Sequence, residues 1–241
     1  MRDGTLFLVG SPIGNLGDIT FRALEVLKKV NMVAAEDTRR SSILLKHYEI
    51  SKPLISFHEH NEARRTSELI ERLRSGESIA LLADAGMPSI SDPGYRLVRA
   101  SIESGIRIEV IPGPSAVLTA LVGSGLPTNR FYFGGFLPVK TGQRQRELLA
   151  ALAREFTSVY FESPHRIIRS LEVISGVEPT RLVCVARELT KQFEEYRRGV
   201  VADVLAHYVT HPPRGEITFL INGSKQSTAK AIASTQIERV D

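Results

Sequence analysis

Ala83-Asp84-Ala85-Gly86-Met87-Pro88-Ser89-Ile90-Ser91-Asp92-Pro93-Gly94 lies between the apolar run Ile79-Ala80-Leu81-Leu82 and the helix-patterned Tyr95-Arg96-Leu97-Val98-Arg99-Ala100. The first flank reads as a buried strand and the second as a helix, with Asp92 as its N-cap and Pro93 at its first helical position. Strand-to-helix connectors usually run about 2–6 residues, and this one is longer. Loops at the carboxyl ends of parallel strands are where open α/β sheets bind ligands, so this stretch reads as part of a site.

The same alternation extends outward on both sides. Apolar runs Leu6–Val9, Met32–Ala35, Leu54–Ser56 and Arg107–Ile111 read as further strands. Between them lie helical patterns: Phe21–Val30 with Phe21, Leu24 and Leu27 on one face, Asp37–Tyr48 with Ile43, Leu44 and Tyr48 facing inward, and Asn61–Ser75 closed by Gly76. Strands alternating with helices predict a mainly parallel sheet covered on both faces. The Gly- and Pro-containing stretch Gly123–Asn129 reads as a domain junction. Beyond it come strands at Arg130–Phe136, Ser158–Glu162, Arg181–Ala186, Gln192–Arg198 and Ile217–Ile221, and helices at Gln143–Glu155, after Ser163-Pro164, and at Val201–Tyr208. Few helical residues separate Arg187 from Gly199, which predicts an antiparallel pair and a mixed second sheet. The expected organisation is two α/β domains, 1–122 and 123–223, with 224–241 as a mobile tail.

Composition narrows the function classes. With 241 residues and 42% hydrophobic content, the chain can build proper cores. A balance of 31 basic to 27 acidic residues permits an anionic partner without demanding one. Cys184 is the only cysteine, so no intramolecular disulfide forms, which fits a reducing cytoplasm. Set in Leu182-Val183-Cys184-Val185, it reads as a core residue. No apolar run approaches the roughly 20 residues of a membrane span, and Met1-Arg2-Asp3-Gly4 leads directly into a strand without a signal-peptide pattern.

Gly10-Ser11-Pro12-Ile13-Gly14-Asn15-Leu16-Gly17 occupies the place of a dinucleotide fingerprint, with Glu36 and Asp37 about 20 residues on. Its spacing is G-x-x-x-G-x-x-G, and Pro12 removes a backbone donor, so a nicotinamide oxidoreductase is the weaker reading. No Walker sequence occurs. Pro112-Gly113-Pro114-Ser115-Ala116 offers a stiff turn into a helix, as suits either an anion site or a plain corner. In His58-Glu59-His60, two histidines have no third ligand at a recognisable spacing, so the metal reading is weak. The arginine pairs Arg39-Arg40, Arg64-Arg65 and Arg197-Arg198, and the cluster Lys140, Arg144 and Arg146, suit either phosphate contacts or a solvated surface.

Taken in order, Pro12-Ile13-Gly14-Asn15-Leu16-Gly17-Asp18-Ile19-Thr20, Ala35-Glu36-Asp37-Thr38-Arg39, His58-Glu59-His60-Asn61-Glu62, Asp84-Ala85-Gly86, Ile90-Ser91-Asp92-Pro93-Gly94, Pro112-Gly113-Pro114-Ser115-Ala116, Glu162-Ser163-Pro164-His165-Arg166 and Ala186-Arg187-Glu188-Leu189-Thr190-Lys191 resemble the ribosomal RNA small-subunit methyltransferase I family. That family is a branch of the tetrapyrrole methylases. The resemblance spans about Gly4 to Ile221. It implies two α/β domains with S-adenosylmethionine in the cleft between them, a homodimer, and 2′-O-methylation of a cytidine in the decoding region of 16S rRNA. It also implies cofactor contacts from Pro12, Asp84, Ala85, Gly86, Pro88, Ile90, Ser115 and Ala116, and from Phe161, Glu162, Ala186 and the Arg214-Gly215-Glu216 turn. Met87 departs from the family's threonine and removes one hydroxyl.

Such chemistry agrees with the residues. A sulfonium donor favours carboxylates and carbonyls around it, and Asp84, Glu162 and Glu216 supply them. Methyl transfer is an in-line displacement that depends on alignment and calls for no metal, but a ribose hydroxyl needs a base. Glu36, Asp37, His58 and Glu62 are the candidates because their loops are expected to open on one edge. Arg39, Arg40, Arg166 and Lys191 are the expected RNA contacts. Methylation of a small acidic molecule and a non-enzymatic ribosome-binding module remain as alternatives.

Overall fold

The structure is a computed structural model that describes residues 4–224; the expected tail beyond Ser224 lies outside the described residues. Contacts divide the chain into two compact units, Met1–Ala116 and Val117–Asp241.

In the first unit, strands β1 (Thr5–Val9), β2 (Met32–Ala35), β3 (Leu54–Ser56), β4 (Ile79–Leu82) and β5 (Arg107–Ile111) form one sheet in the order β3-β2-β4-β1-β5. Every pairing is parallel. Period-two alternation sorts the side chains. Leu6, Leu8, Met32, Ala34, Ile79 and Leu81 enter one core, while Val9, Val33, Ala80 and Leu82 enter the other. Strands buried on both faces explain why these runs are continuously apolar.

Right-handed crossovers then decide which helix covers which face. From β1 the chain moves outward to β2 and then to β3 through α1 (Phe21–Lys29) and α2 (Thr38–His47), and both helices pack on the Val9/Val33 core. It returns to β4 and passes on to β5 through α3 (Glu62–Arg74) and α4 (Tyr95–Glu103), which pack on the Leu6/Leu81 core. The direction reverses between the adjacent strands β1 and β4, which makes that point the crevice of a doubly wound sheet.

Three local expectations are corrected. Phe21 is 88% exposed and Ile43 is 66% exposed. The buried residues are Ala23 and Leu27 on α1, and Ser41, Leu44 and Leu45 on α2; Leu24, Leu27, Leu44 and Tyr48 meet the core as expected, and only Phe21 and Ile43 fall outside it. Asp92 is not the cap of α4. Ser89 and Ser91 adopt positive φ and Gly94 has φ 141°, which keeps the chain out of helix until Tyr95. The cap comes from another helix: Glu62 Oε1 accepts the Gly94 and Arg96 N–H groups at 3.0 and 3.3 Å.

All but the first residue of α5 (Ala116–Gly123) belongs to the second unit, which also contains β6 (Phe131–Phe136), α6 (Thr141–Ala153), β7 (Thr157–Glu162), α7 (Ile167–Val177), β8 (Leu182–Arg187), β9 (Glu195–Val200), α8 (Val201–Thr210) and β10 (Ile217–Ile221). Its sheet order is β6-β7-β10-β8-β9. Only β6–β7 is parallel, so the sheet is mixed. Helices α6, α7 and α8 cover one face around Tyr160, Phe219 and Tyr208. Helix α5 is tied to the other face, where Tyr196 Oη donates to the Thr119 carbonyl at 3.1 Å. Cys184 is buried in this sheet, and burial pushes its thiol up to about 12, so it is a core residue and not a nucleophile. Among the described residues no helix is long and apolar enough to cross a membrane.

Candidate active site

Because all five strands of the first sheet run one way, the loops after β1, β2, β3, β4 and β5 leave from a single edge. Two of them are stitched together across the β1–β4 crevice. Ser11 N–H donates to the Gly86 carbonyl at 2.9 Å, and Gly86 N–H donates to the Ser11 carbonyl at 3.1 Å. The Ser11 hydroxyl donates to the Ala83 carbonyl at 3.0 Å. A third loop closes from the β5 side. A Cβ placed on Gly10 would lie 2.7 Å from the Gly113 Cα, and one placed on Gly113 would lie 2.8 Å from the Gly10 Cα. These glycines are therefore required by backbone-to-backbone approach. The Met87 sulfur lies against the same face of Gly10, so position 87 packs against backbone here instead of offering a hydroxyl.

The acidic groups of this edge form a linked set. Asp37 N–H donates to Asp84 Oδ1 at 2.9 Å, and the Asp84 N–H in turn donates to the Glu36 carboxylate. Glu36 Oε2 is buried without a hydrogen-bond partner, as are His58 Nδ1 and Ser89 Oγ. Burial raises the Glu36 carboxyl above its usual range, and the negative charge of Asp84 adds to the shift. Asp92 is pushed up to about 7 by burial, then by the charges of Glu36 and Asp84.

The four base candidates separate on this geometry. Asp37 is spent on Arg39, which donates to it through Nε at 3.0 Å, Nη2 at 2.7 Å and its backbone N–H at 2.9 Å. Those bonds hold the carboxyl down at about 2. Glu62 is committed to capping α4 and lies 3.7 Å from Arg96. E62A should therefore lower stability by about 1 kcal/mol, whereas E62Q, whose amide oxygen still accepts, should lose less; chemical denaturation of both variants measures the difference. His58 is held by its loop, with Asn61 Nδ2 at 3.1 Å from its Nε2. Glu36 keeps a free oxygen on the edge. Asp92, read in the sequence only as a cap, joins it. The sequence carried two signals for Asp92, its place in the long loop after β4 and its place in the motif Ile90-Ser91-Asp92-Pro93-Gly94.

The expected cation contacts also divide. Arg39 and Arg40 lie at the start of α2 with side chains 88% and 63% exposed; Arg40 is 3.4 Å from Asp84. Arg166 is turned inward, donating from Nε at 2.9 Å to Glu162, whose side chain is completely buried. Glu162 also accepts the Ser163 N–H at 2.7 Å and the Ser170 hydroxyl at 2.8 Å, so its carboxylate is satisfied within the second unit. Lys191 is clamped at 2.9 Å by both Glu188 and Glu216. Arg144 is buried and donates to the Pro138 and Val139 carbonyls. Arg166, Lys191 and Arg144 thus spend their charges inside the fold. In the second unit the Gly215 turn presses on Glu188: a Cβ at Gly215 would lie 2.3 Å from its carboxyl carbon. Phe161 meets Phe133 edge-on at 5.1 Å and Phe136 at a tilt at 5.2 Å, and Ala186 is buried in β8.

A doubly wound parallel sheet whose carboxyl edge carries these loops, joined to a mixed five-stranded sheet, defines the methylase class that matches residues 5–205, the Tetrapyrrole (Corrin/Porphyrin) Methylases. Solved structures agree on the fold. Uroporphyrin-III-C-methyltransferase from Thermus thermophilus superposes with TM-score 0.64 at 22% identity over 91% of this chain and 94% of that one. A diphthine synthase gives 0.68 at 13% identity over 91% and 90%. Within the class, proteins named Ribosomal RNA small subunit methyltransferase I are similar over nearly the whole chain. The Thermotoga maritima protein is 45% identical across 92% of this chain and all of its own length. That of Mesorhizobium japonicum is 47% identical across 98% and 80%. The chain belongs to the ribosomal RNA small subunit methyltransferase I family of tetrapyrrole methylases. Membership sets aside the nicotinamide oxidoreductase reading.

Proposed function

We propose that the protein transfers a methyl group from S-adenosylmethionine to the 2′-hydroxyl of a cytidine in the decoding region of 16S rRNA. The observation that carries this reading is the stitched, glycine-lined acidic edge of the first unit, in a chain 45–47% identical to relatives named for small-subunit rRNA methylation. When bound, S-adenosylmethionine supplies an electrophilic methyl group on a positively charged sulfur. The edge suits such a group: its carboxylates attract a cation, and the close Gly10–Gly113 approach holds the loops after β1 and β5 together at that edge. Pro12, the Asp84-Ala85-Gly86 turn, Pro88, Ile90, Ser115 and Ala116 line these same loops and are its proposed contacts. Phe161, Glu162, Ala186, Gly215 and Glu216 are the proposed contacts from the second unit, with Glu162 acting through its backbone.

Asp92 is the proposed proton acceptor. A base works best with a pKa near the operating pH, and Asp92 meets that condition near neutrality. Its carboxylate takes the 2′-hydroxyl proton as the ribose oxygen forms its bond to the methyl carbon, and the bond from that carbon to sulfur breaks. Burial first, and then the nearby charge of Glu36, raises Asp92 toward neutrality, which makes Glu36 a positioning residue. Arg39 and Arg40, exposed at the start of α2, would pair with RNA phosphates. A homodimer in the cytoplasm and an assembled small subunit as substrate belong to the same reading by resemblance.

Calorimetry with S-adenosylhomocysteine, followed by transfer of a labelled methyl group into small subunits lacking the modification, tests it. Binding plus ribose-linked label at one cytidine is expected. Binding with label entering only a small acidic acceptor would instead support the alternative substrate. RNA affinity without any S-adenosylhomocysteine binding would leave a ribosome-binding module.

A further inference from the structure

The two helical layers of the first unit differ in charge. Helices α1 and α2, on one face of the sheet, carry six basic side chains and one acidic. Helices α3 and α4, on the opposite face, carry six basic and four acidic. There four of the six cations are paired, Arg65 and Arg72 with Glu68, Arg96 with Glu62, and Arg99 with Glu103, and only Arg64 and Arg74 have no ion-pair partner among the described residues. On the α1/α2 layer only Arg39 and Arg40 have ion-pair partners, whereas Arg22, Lys28, Lys29 and Lys46 have none among the described residues. Helix α2 contains no acidic residue. It starts at the candidate active edge, where Asp37 touches Asp84, and ends on the far side of the sheet about 15 Å away at 1.5 Å per residue. There Lys46 and Lys52 line a shallow depression of about 450 Å³ with Ser42 and Ser51, and Glu49 is its one carboxylate. Ile43 is two-thirds exposed in the middle of the same face.

We propose that the α1/α2 layer is an RNA-docking surface. It would hold the phosphate backbone flanking the target nucleotide along α2, from Arg39 and Arg40 at the active edge to Lys46 and Lys52 at the depression. Lys28 and Lys29, at the carboxyl end of α1, extend the same layer. Unneutralised lysines select a polyanion by charge and not by base, so this face supplies affinity and register while the edge supplies chemistry. The exposed Ile43 offers an apolar contact to a ribose or base that a purely ionic surface lacks. The inference rests on the rRNA methyltransferase reading and adds to it where the substrate lies.

The full-length variants K46Q/K52Q and K28Q/K29Q test it, with R64Q on the α3 face as control. For K46Q/K52Q, the affinity for small-subunit RNA should fall about three- to tenfold near physiological salt. The slope of log affinity against log salt should become shallower by about 1.4, at roughly 0.7 per lost single-strand phosphate contact. KM for the RNA should rise in step while kcat and S-adenosylhomocysteine affinity stay unchanged, and K28Q/K29Q should follow in the same direction. Wild-type slope and KM in both double variants would overturn the proposal, as would an equal loss in R64Q. Failure of the wild-type protein to methylate RNA would instead overturn the functional reading, so the two failures are distinguishable.

Discussion

D92N is expected to lower kcat for methyl transfer by about 10²- to 10⁴-fold, the range lost when a general base is removed. S-adenosylhomocysteine affinity should change little, because that product is an uncharged thioether at sulfur and does not need the carboxylate. In the wild type, kcat should rise with pH through about 7, as Asp92 loses its proton, and D92N should abolish that limb. E36Q separates tuning from catalysis. Removing the Glu36 charge, which raises Asp92, should shift the limb to lower pH and spare most of kcat at pH 8. The stability consequence has a definite sign. Asp92 is raised from an ordinary value of 3.8 to about 7, so the folded state binds the extra proton between those values and stability falls as pH rises through that window. D92N should therefore be more stable than wild type at pH 8 and indistinguishable from it at pH 4. Wild-type kcat in D92N across the pH range would remove Asp92 from the mechanism.

G113A, or G10A, is expected to have the second-largest effect. The added methyl would sit 2.7–2.8 Å from a facing backbone Cα, where carbon atoms prefer about 3.5–4.0 Å. Neither atom belongs to a flexible side chain, so the loops after β1 and β5 must part. Overpacking of this kind costs about 1–3 kcal/mol of stability. Parting these loops also distorts the edge proposed to hold the methyl donor, so S-adenosylhomocysteine affinity should fall at least tenfold, about 1.4 kcal/mol. G142A is the matched control, since nothing lies within 4 Å of its added carbon. Calorimetric binding and a thermal melt read both quantities. G113A that binds and melts as wild type would show the glycine approach to be dispensable.

Much of the edge was legible because it depends on local pattern. Apolar runs such as Ile79–Leu82 recur between helical periods, and loops that follow parallel strands must share an edge. The acid assignments were less legible. Asp37 and Glu36 are chain neighbours of the same chemical type, yet one points to Arg39 and is held low while the other is buried beside Asp84 and raised. Asp92 looked like a cap because Asp-Pro before a helical pattern usually is one. Positive φ at Ser89 and Ser91 keeps this loop out of helix until Tyr95, and Glu62, thirty-two residues from Gly94, takes the cap instead.

From sequence alone came the parallel first sheet, the mixed second sheet, the family, and the set of loops proposed to carry the chemistry, because strand and helix periods and motif order are properties of neighbouring residues. Only the tertiary structure decided which charges are spent and which are free. Arg166, Lys191 and Arg144 look like surface cations until their partners appear, and Phe21 and Ile43 look like core until the helix rotation is known. Ionisation and burial depend on groups brought close from distant parts of the chain, and local sequence does not encode those distances.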